Sequence, residues 1–335
     1  MWHTWVSEGI DMYIPKTLTE AVKYYADEQT CIDAVACLRW PNGKPVCPKC
    51  GIEEGERKHY WLATQKRWKC YACRKQFSVK VDSLFEDSPL GLDKWLVALW
   101  MLCNCKNGVS SHEIGRELGI AQKSAWHLLH RLRSALQSPD EGKIGGDGQI
   151  VMMDETFIGG KVSNMHKSKK PKGTGYSGVA VGAMAKTIVV GMLERTGRIR
   201  AEVVRERTAI VLHGLVQKHI ADGSTLMTDE WGGYKGTNLA HEIINHANEY
   251  VRGQVHTQGI ENFWALLKRG LHGTYVSVEP FHLFRYIDEQ AFRYEHRATK
   301  DKPYTNADRF AIALTQIAGK RLTWNELTGK EEGSF

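Results

Sequence analysis

The sequence predicts an α/β fold with a mixed sheet flanked by helices in its second half, preceded by two smaller modules. Three features support this organisation. Two Cys-x-x-Cys pairs lie within residues 47–73, an apolar pattern of helical period covers residues 89–136, and strand and helix patterns alternate from residue 150 onward. A glycine-rich break at residues 139–148 separates the second half from the first.

Composition and charge restrict the class of protein. The chain has 335 residues, with 45 Lys and Arg against 38 Asp and Glu, giving a net charge of +7. This basic excess permits a polyanionic partner without requiring one. The longest apolar stretch, residues 95–103, is far shorter than the ~20 residues that cross a bilayer. Because residues 1–13 lack the basic and apolar regions of a signal peptide, we expect a cytoplasmic protein.

The spacing of four cysteines predicts a zinc site. Cysteines in a reducing compartment serve more often as metal ligands or free thiols than as disulfides. Two Cys-x-x-Cys pairs separated by nineteen residues fit the template of a four-thiolate zinc site. The ligands would be Cys47, Cys50, Cys70 and Cys73. Aromatic residues within 61–77 indicate short strands, so residues 40–82 are predicted to form a zinc ribbon after a helical segment at 1–39. The alternative is four free or redox-active thiols.

The helical block contains a candidate DNA-binding element. One helix pattern ends at Gly119, and a second begins with polar residues at 121–127. Two helices joined by a glycine-containing turn are typical of a helix-turn-helix, which we predict at residues 88–138. The second helix would present these residues to DNA: Gln122, Lys123, Ser124, His127 and Arg131. The alternative is a helical hairpin without a DNA role.

The order of elements in the second half is that of a ribonuclease H-like fold. A strand, a hairpin, a helix, a strand and a helix are predicted at residues 150–158, 187–204, 208–220, 224–229 and 260–270. The predicted domain, residues 146–300, ends with a helix at 281–299. Residues 301–335 are predicted to form a C-terminal tail with one amphipathic helix near 308–318.

Acidic residues lie at a strand centre, a strand end and a helix start. These are Asp154, Asp229 and Glu261; periodicity does not choose between the two aspartates and their neighbours Glu155 and Glu230. Three carboxylates converging from different elements can hold two Mg²⁺ or Mn²⁺ ions, which act on the attacking and leaving oxygens of a phosphodiester. Lys268 follows Glu261 by two helical turns on the same face and would contact phosphate. For each acid alone, the alternative is a solvated or salt-bridged carboxylate.

A lysine-rich segment follows the first of these strands. Residues 161–172 include Lys167, Lys169 and Lys170, which we predict to contact the DNA backbone. The alternative is a solvated loop.

Four motifs carry a resemblance to a known family. They are RWPNGKPVCPKCG, MDETFIGGK, TDEWGGY and HTQGIENFWALLKRGLHGTY, at residues 39–51, 153–161, 228–234 and 256–275. Together they resemble bacterial insertion-sequence transposases that pair a zinc ribbon with an acidic DDE catalytic domain. In that family the third metal ligand is Glu in some branches and Asn or His in others, with a lysine seven residues later. The resemblance implies Asp154, Asp229, Glu261 and Lys268, with Asn262 as the alternative third ligand.

The resemblance also implies a reaction and its requirements. Such an enzyme binds terminal inverted repeats, hydrolyses the phosphodiester at each element end, and joins the resulting 3′ hydroxyls to target DNA by transesterification. The cofactors would be a structural Zn²⁺ and two catalytic Mg²⁺ or Mn²⁺. The partners would be element-end and target DNA, no membrane, and a second copy of the chain in a homodimer or larger homo-oligomer, in a prokaryotic, nucleoid-associated setting. Two alternatives are an inactive DNA-binding regulator and a ribonuclease H-like nuclease without strand transfer.

Overall fold

The computed structural model describes residues 12–55, 57–137, 142–160, 166–167, 186–228, 232–234, 236–243 and 258–329. Contacts divide the chain into two compact units. The first combines residues up to 137 with those from 296 onward, and the second contains residues 138–295. None of the helices within the described ranges is long and apolar enough to span a membrane.

The first unit begins with two helices whose starts are capped by side chains. Helices α1 (Leu18–Tyr24) and α2 (Glu28–Arg39) follow Thr17 and Asp27. Each cap accepts a hydrogen bond from a backbone N–H in the first helical turn, which would otherwise lack a partner within the helix. Helices are therefore observed within the predicted N-terminal helical segment.

A small antiparallel sheet follows these helices. Its strands are β1 (Tyr60–Leu62), β2 (Arg67–Lys69) and β3 (Gln76–Phe77). Trp68 stacks on Phe77 with 5.9 Å between ring centroids, and Trp40 packs edge-on against Trp68. The aromatic side chains supply the apolar contacts of a sheet too small to have a core of its own. The predicted short strands around the second cysteine pair are observed.

Three helices continue the first unit. They are α3 (Leu92–Asn104), α4 (Ser111–Glu117) and α5 (Gln122–Ala135). Nearly the whole of α3 is buried, so this helix forms the centre on which the others pack. Helix α4 starts with a capping box between Ser110 and Glu113, and the turn before α5 passes through Gly119 at φ +61°. This is the predicted pair of helices with a glycine-containing turn.

The second unit is built on a five-stranded mixed sheet. Its strands are β5 (Ile150–Ile158), β6 (Thr187–Glu194), β7 (Ile199–Val204), β9 (Thr225–Thr228) and β10 (Ala240–Ile243). The spatial order is β10-β9-β5-β6-β7, with β5, β6 and β7 antiparallel and both β9 and β10 parallel to the strand beside them. Outside this sheet, the two-residue strands β4 (Ile144–Gly145) and β8 (Ile220–Ala221) pair in parallel.

Helices cover both faces of the mixed sheet. One face packs against α6 (Ala209–His219), through apolar residues that include Val151 and Met153. The other packs against α7 (Gln258–Gly270) and α8 (Leu283–Glu295), through residues that include Met152. An antiparallel meander extended by two parallel strands, with helices on both sides, confirms the predicted ribonuclease H-like fold.

The chain returns to the first unit after α8. Helix α9 (Asn306–Thr315) packs against α3, and Arg309 Nε donates to Asn104 Oδ1 at 2.9 Å. Helix α10 (Trp324–Thr328) packs against α5. Thr305 and Thr323 start these helices with capping boxes. The region predicted as a C-terminal tail thus contains two helices that belong to the first unit.

Candidate catalytic site and zinc ribbon

Asp154 lies in the middle of the central strand β5. It is opposite Gly191 of β6, on the sheet face that α7 and α8 cover. The next residue, Glu155, points to the other face, as strand alternation requires. There its side chain is 2% exposed and lies 3.8 Å from the Arg207 guanidinium. The two adjacent carboxylates therefore have separate environments.

Trp264 of α7 binds the Asp154 carboxylate directly. The indole Nε1 donates to Asp154 Oδ2 at 3.0 Å, while the backbone N–H of Glu155 donates to Oδ1 at 2.8 Å. A carboxylate can accept about four hydrogen bonds, so it can accept from both donors at once. Hydrogen bonds to an ionised acceptor are stronger than those between neutral groups, and they favour one orientation of the carboxylate.

Two glycines let α7 lie close to the sheet. A Cβ on Gly191 would lie 2.6 Å from Trp264 Cζ2, and a Cβ on Gly259 would lie 2.9 Å from Leu193 Cδ2. Both distances are shorter than normal contacts, so a side chain at either position would displace the helix or its neighbours. Tyr294 of α8 adds a hydrogen bond from its hydroxyl to the Gly259 carbonyl at 2.8 Å. The position of α7 relative to Asp154 is therefore closely determined.

We expect Gly191→Ala to lower the free energy of unfolding by about 1–3 kcal/mol, because the added methyl group overlaps the buried Trp264 ring. Chemical denaturation of the whole chain, followed by a probe of the second unit, measures this change. Gly214→Ala is the matched control, since Gly214 lies within α6 with no atom within 4 Å of its added Cβ. Its expected effect is neutral or stabilising, by up to about 1 kcal/mol. Equal stability of wild type and Gly191→Ala would contradict the close packing.

Glu261, Trp264 and Lys268 share one face of α7. Residues three and four apart are neighbours on a helix surface, so Glu261 lies one turn before Trp264 and Lys268 one turn after it. Glu261 is exposed and Lys268 is partly exposed. Asn262 is two residues before Trp264 and therefore lies on the other side of the helix. The face bound to Asp154 thus includes Glu261 and excludes Asn262.

Several predicted site residues lie outside the described part of the chain. They are Asp229, Lys169 and Lys170. The described strand β9 ends at Thr228, immediately before Asp229, and pairs with β5 from Ile150 to Met152. Lys167 is described and exposed. The roles given to these residues remain predictions.

The four cysteines of the ribbon form one cluster. Their sulfur atoms all lie within 4.8 Å of one another, with 3.7 Å between Cys47 and Cys73 and between Cys50 and Cys70. Four thiolates placed tetrahedrally at about 2.3 Å from one zinc ion would be about 3.8 Å apart, which agrees with this spacing. Burial opposes ionisation of Cys70, but N–H groups of Cys73 and Ala72 lower the pKa of its thiol to about 7. The spacing of the four sulfur atoms therefore fits the predicted zinc site.

The predicted DNA-facing residues of α5 divide into two groups. Gln122, Lys123 and Ser124 are exposed at the start of the helix. Arg131 is 5% exposed, donates to the Glu86 carbonyl at 2.7 Å and lies over the Trp95 ring, so its prediction as a DNA contact is corrected to a packing role. The physical reason is that Arg131 lies about two and a half turns along α5, on the side that packs inside the unit.

His127 is partly buried beside the C-terminal helix. Its ring packs edge-on against Trp324 of α10, with 5.4 Å between centroids. Burial, together with the Arg131 guanidinium, lowers the pKa of His127, so the imidazole is neutral at pH 7. A contact with DNA phosphate through a charged imidazole is therefore not supported at this position.

Comparison with known families identifies both parts of the chain. Residues 145–295 match the ISXO2-like transposase domain, and residues 26–76 match the transposase zinc-ribbon domain. The chain is an insertion-sequence transposase. The first match covers the mixed sheet with Asp154, Glu261 and Lys268, and the second covers all four cysteines.

A relative and two solved structures are similar to this transposase. An uncharacterized protein in transposable element ISH50 of Halobacterium salinarum is 24% identical over 258 residues, covering 75% of this chain and 85% of the relative. A chain of the simian T-cell lymphotropic virus intasome in complex with the PP2A regulatory subunit B56 gamma has 14% identity and a TM-score of 0.29, over 60% of this chain and 70% of that one. The Mos1 strand transfer complex has 10% identity and a TM-score of 0.18, over 62% and 78%. Scores this low support no structural argument.

The identification fixes the general chemistry of the two parts. The transposase acts on DNA, and its DDE domain uses divalent metal ions. The zinc ribbon has a structural zinc ion as its cofactor, and Cys47, Cys50, Cys70 and Cys73 are positioned for metal binding. Sequence reasoning missed the contact between Trp264 and Asp154, since spacing within the helix does not show which strand the helix packs on.

Proposed function

We propose that this transposase hydrolyses the phosphodiester at each end of its element and joins the freed 3′ hydroxyls to target DNA. The observation that carries the proposal is the placement of Asp154. It lies at the centre of the sheet and is hydrogen-bonded to the α7 face that also bears Glu261 and Lys268. A carboxylate and a lysine ammonium group on one helix face, beside the Asp154 carboxylate, suit the binding of metal ions and of a DNA phosphate.

The ligands of two catalytic metal ions would be Asp154, Glu261 and Asp229. Oxygen donors of this kind suit Mg²⁺ and Mn²⁺. When bound, such ions lower the pKa of an attacking water and stabilise negative charge on the phosphoryl oxygens. The geometry of α7 supports Glu261 over Asn262 as the third ligand, because only Glu261 lies beside Trp264 on the Asp154 side. Asp229 is included from its position directly after β9.

Lys268 would bind the DNA phosphate near the reacting bond. It lies on the α7 face that contacts Asp154, one turn beyond Trp264. A lysine ammonium acts as a point charge, and its four-carbon stem can reach along the helix surface. Its role is to orient the phosphate, which supplies much of the catalysis in phosphoryl transfer.

DNA ends would be recognised by the first unit. We propose that the start of α5, with Gln122, Lys123 and Ser124, enters or borders the major groove while the zinc ribbon contacts the backbone. Lys167, Lys169 and Lys170 would add backbone contacts beside the catalytic strand. The modules that we propose are residues 1–39, 40–82, 88–138 and 146–300, and residues 301–335 belong with the first unit rather than forming a separate tail. A homodimer or larger homo-oligomer is proposed because two DNA ends must be joined in one event, in the cytoplasm beside nucleoid DNA.

We expect Lys123→Gln to weaken binding of element-end DNA and to reduce the slope of log affinity against log salt by about one, the value for one lost phosphate contact. Fluorescence anisotropy across a salt series measures both quantities. Lys23→Gln is the control, because Lys23 is an exposed lysine on α1, outside the helix-turn-helix. A slope unchanged by Lys123→Gln, or equally changed by Lys23→Gln, would exclude Lys123 as a specific contact.

The proposal is tested by a cleavage and strand-transfer assay on duplexes that contain the DNA flanking this gene, with Mg²⁺ or Mn²⁺. Metal-dependent cleavage at the element ends, followed by joined products, is the expected result. Cleavage without joining would replace the proposal with a ribonuclease H-like nuclease. Specific binding without cleavage, in either metal, would replace it with a DNA-binding regulator.

A further inference from the structure

Trp264 is a buried aromatic residue with an unusual partner. Its side chain is 5% exposed and packs on Phe263, with 5.1 Å between ring centroids. A buried indole N–H normally finds an acceptor, and a backbone carbonyl or a hydroxyl satisfies it without further consequence. Here the acceptor is the Asp154 carboxylate, which is 110 residues away in the sequence.

We propose that Trp264 is a positioning residue for the catalytic metal site. It holds one oxygen of Asp154 and sets where α7 presents Glu261 and Lys268. This inference rests on the proposed function, because it assumes that Asp154 and Glu261 are metal ligands. It assigns a function to a residue that packing alone would otherwise explain.

The contact between Trp264 and Asp154 affects three features of the site: the orientation of the carboxylate, the approach of α7 to β6, and the positions of the other residues on α7. The hydrogen bond orients the carboxylate about its own axis, because Oδ2 faces the indole while Oδ1 faces the Glu155 N–H. The ring rests directly over Gly191, so this contact sets the closest approach of α7 to β6. Since Glu261 and Lys268 are one turn away on either side, their places along the sheet follow from the place of Trp264.

The expected loss of metal affinity can be taken from the behaviour of metal sites in general. Groups that hydrogen-bond to a ligating carboxylate fix its orientation, and their loss costs about 10–100-fold in metal affinity or activity. Trp264→Phe removes the N–H donor and retains most of the ring that packs over Gly191. We therefore expect a 10–100-fold loss in Mn²⁺ affinity, measured by calorimetry, with a similar loss in the DNA cleavage rate at limiting metal.

The matched control is Trp100→Phe. Trp100 is also buried, and its indole Nε1 donates to the Pro15 carbonyl at 3.3 Å, within the first unit. This substitution deletes the same donor from another tryptophan. We expect it to leave both Mn²⁺ affinity and cleavage at the wild-type level, so that a general effect of tryptophan loss is separated from the proposed role.

A spectroscopic measurement tests the same point in the unaltered wild-type chain. The indole N–H signal of Trp264 can be assigned in a spectrum of ¹⁵N-tryptophan-labelled protein as the signal missing from Trp264→Phe. A metal bound to Asp154 Oδ2 at about 2.1 Å would lie within about 5 Å of the indole nitrogen, given the 3.0 Å hydrogen bond. Mn²⁺ is therefore expected to broaden the Trp264 signal strongly.

The outcomes separate this inference from the proposed function. If Asp154→Asn abolishes Mn²⁺ binding while Trp264→Phe binds and cleaves like wild type, the positioning role is excluded and the metal site stands. A sharp Trp264 signal at saturating Mn²⁺ would exclude Asp154 as a metal ligand, and with it the role of Trp264. If Asp154→Asn binds Mn²⁺ like wild type, the metal-ligand assignment fails, and the role of Trp264 fails with it.

Discussion

Asp154→Asn is expected to lower DNA cleavage and joining by roughly a thousandfold or more while leaving the fold and DNA binding in place. Metal coordination contributes several kcal/mol to transition-state stabilisation, and each 1.36 kcal/mol is a factor of ten in rate. The substitution removes the negative charge that would hold the metal but preserves the side-chain shape. An asparagine oxygen can still accept the Trp264 indole N–H, so the contact between β5 and α7 persists.

The measurement compares cleavage rates, end-DNA affinity and thermal unfolding for the same preparations. Asp222→Asn is the control, because Asp222 is an exposed aspartate in the turn before β9, at the opposite end of that strand from Asp229. We expect this control to cleave and join at the wild-type rate. Wild-type cleavage by Asp154→Asn would show that the metal site has been assigned to the wrong residues.

Loss of zinc is expected to unfold the ribbon and to abolish specific binding of element ends. Structural zinc sites have apparent binding free energies of about 10–16 kcal/mol, and a sheet of three very short strands has little else to stabilise it. Cys70 is fully buried in the cluster, so Cys70→Ser removes one ligand from the centre of the ribbon. Zinc per chain should fall from about one to near zero. Hydrogen exchange of residues 45–77 should become fast.

Cys37→Ser is the matched control for this experiment. Cys37 is a partly exposed thiol on α2 and is not part of the sulfur cluster. It should retain stoichiometric zinc and slow exchange in the ribbon. Purified wild-type protein without zinc, or Cys70→Ser with a full complement, would contradict the structural zinc site.

The strands with strong apolar patterns were predictable from the sequence, and the weak strand was not. The predicted strand at residues 150–158 coincides with β5, because a run of Ile, Val and Met has few alternatives to a central strand. Strand β10 has the sequence AHEI, and two of its four residues are polar. It becomes a strand because β9 offers an edge for parallel pairing, a tertiary effect that local propensity does not contain.

The candidate site likewise has features that the sequence predicts and one that it does not. The residue types and the helical spacing of Glu261 and Lys268 were visible in the sequence. The partner of Trp264 was not, because which helix face rests on Asp154 depends on the glycines that let α7 approach the sheet. Arg131 illustrates the reverse case. Its charge suggested DNA, whereas the packing of α5 turns that side of the helix toward Trp95.

The return of the chain to its first unit has a consequence for synthesis. The second unit, residues 138–295, is inserted between two parts of the first, and α9 and α10 complete the packing around α3 and α5. At roughly 5–20 residues per second, a ribosome needs about ten to thirty seconds to make the inserted unit. During that interval α3 lacks its C-terminal partner and exposes apolar surface. A nascent chain therefore completes its catalytic unit before the unit that would direct it to a DNA end.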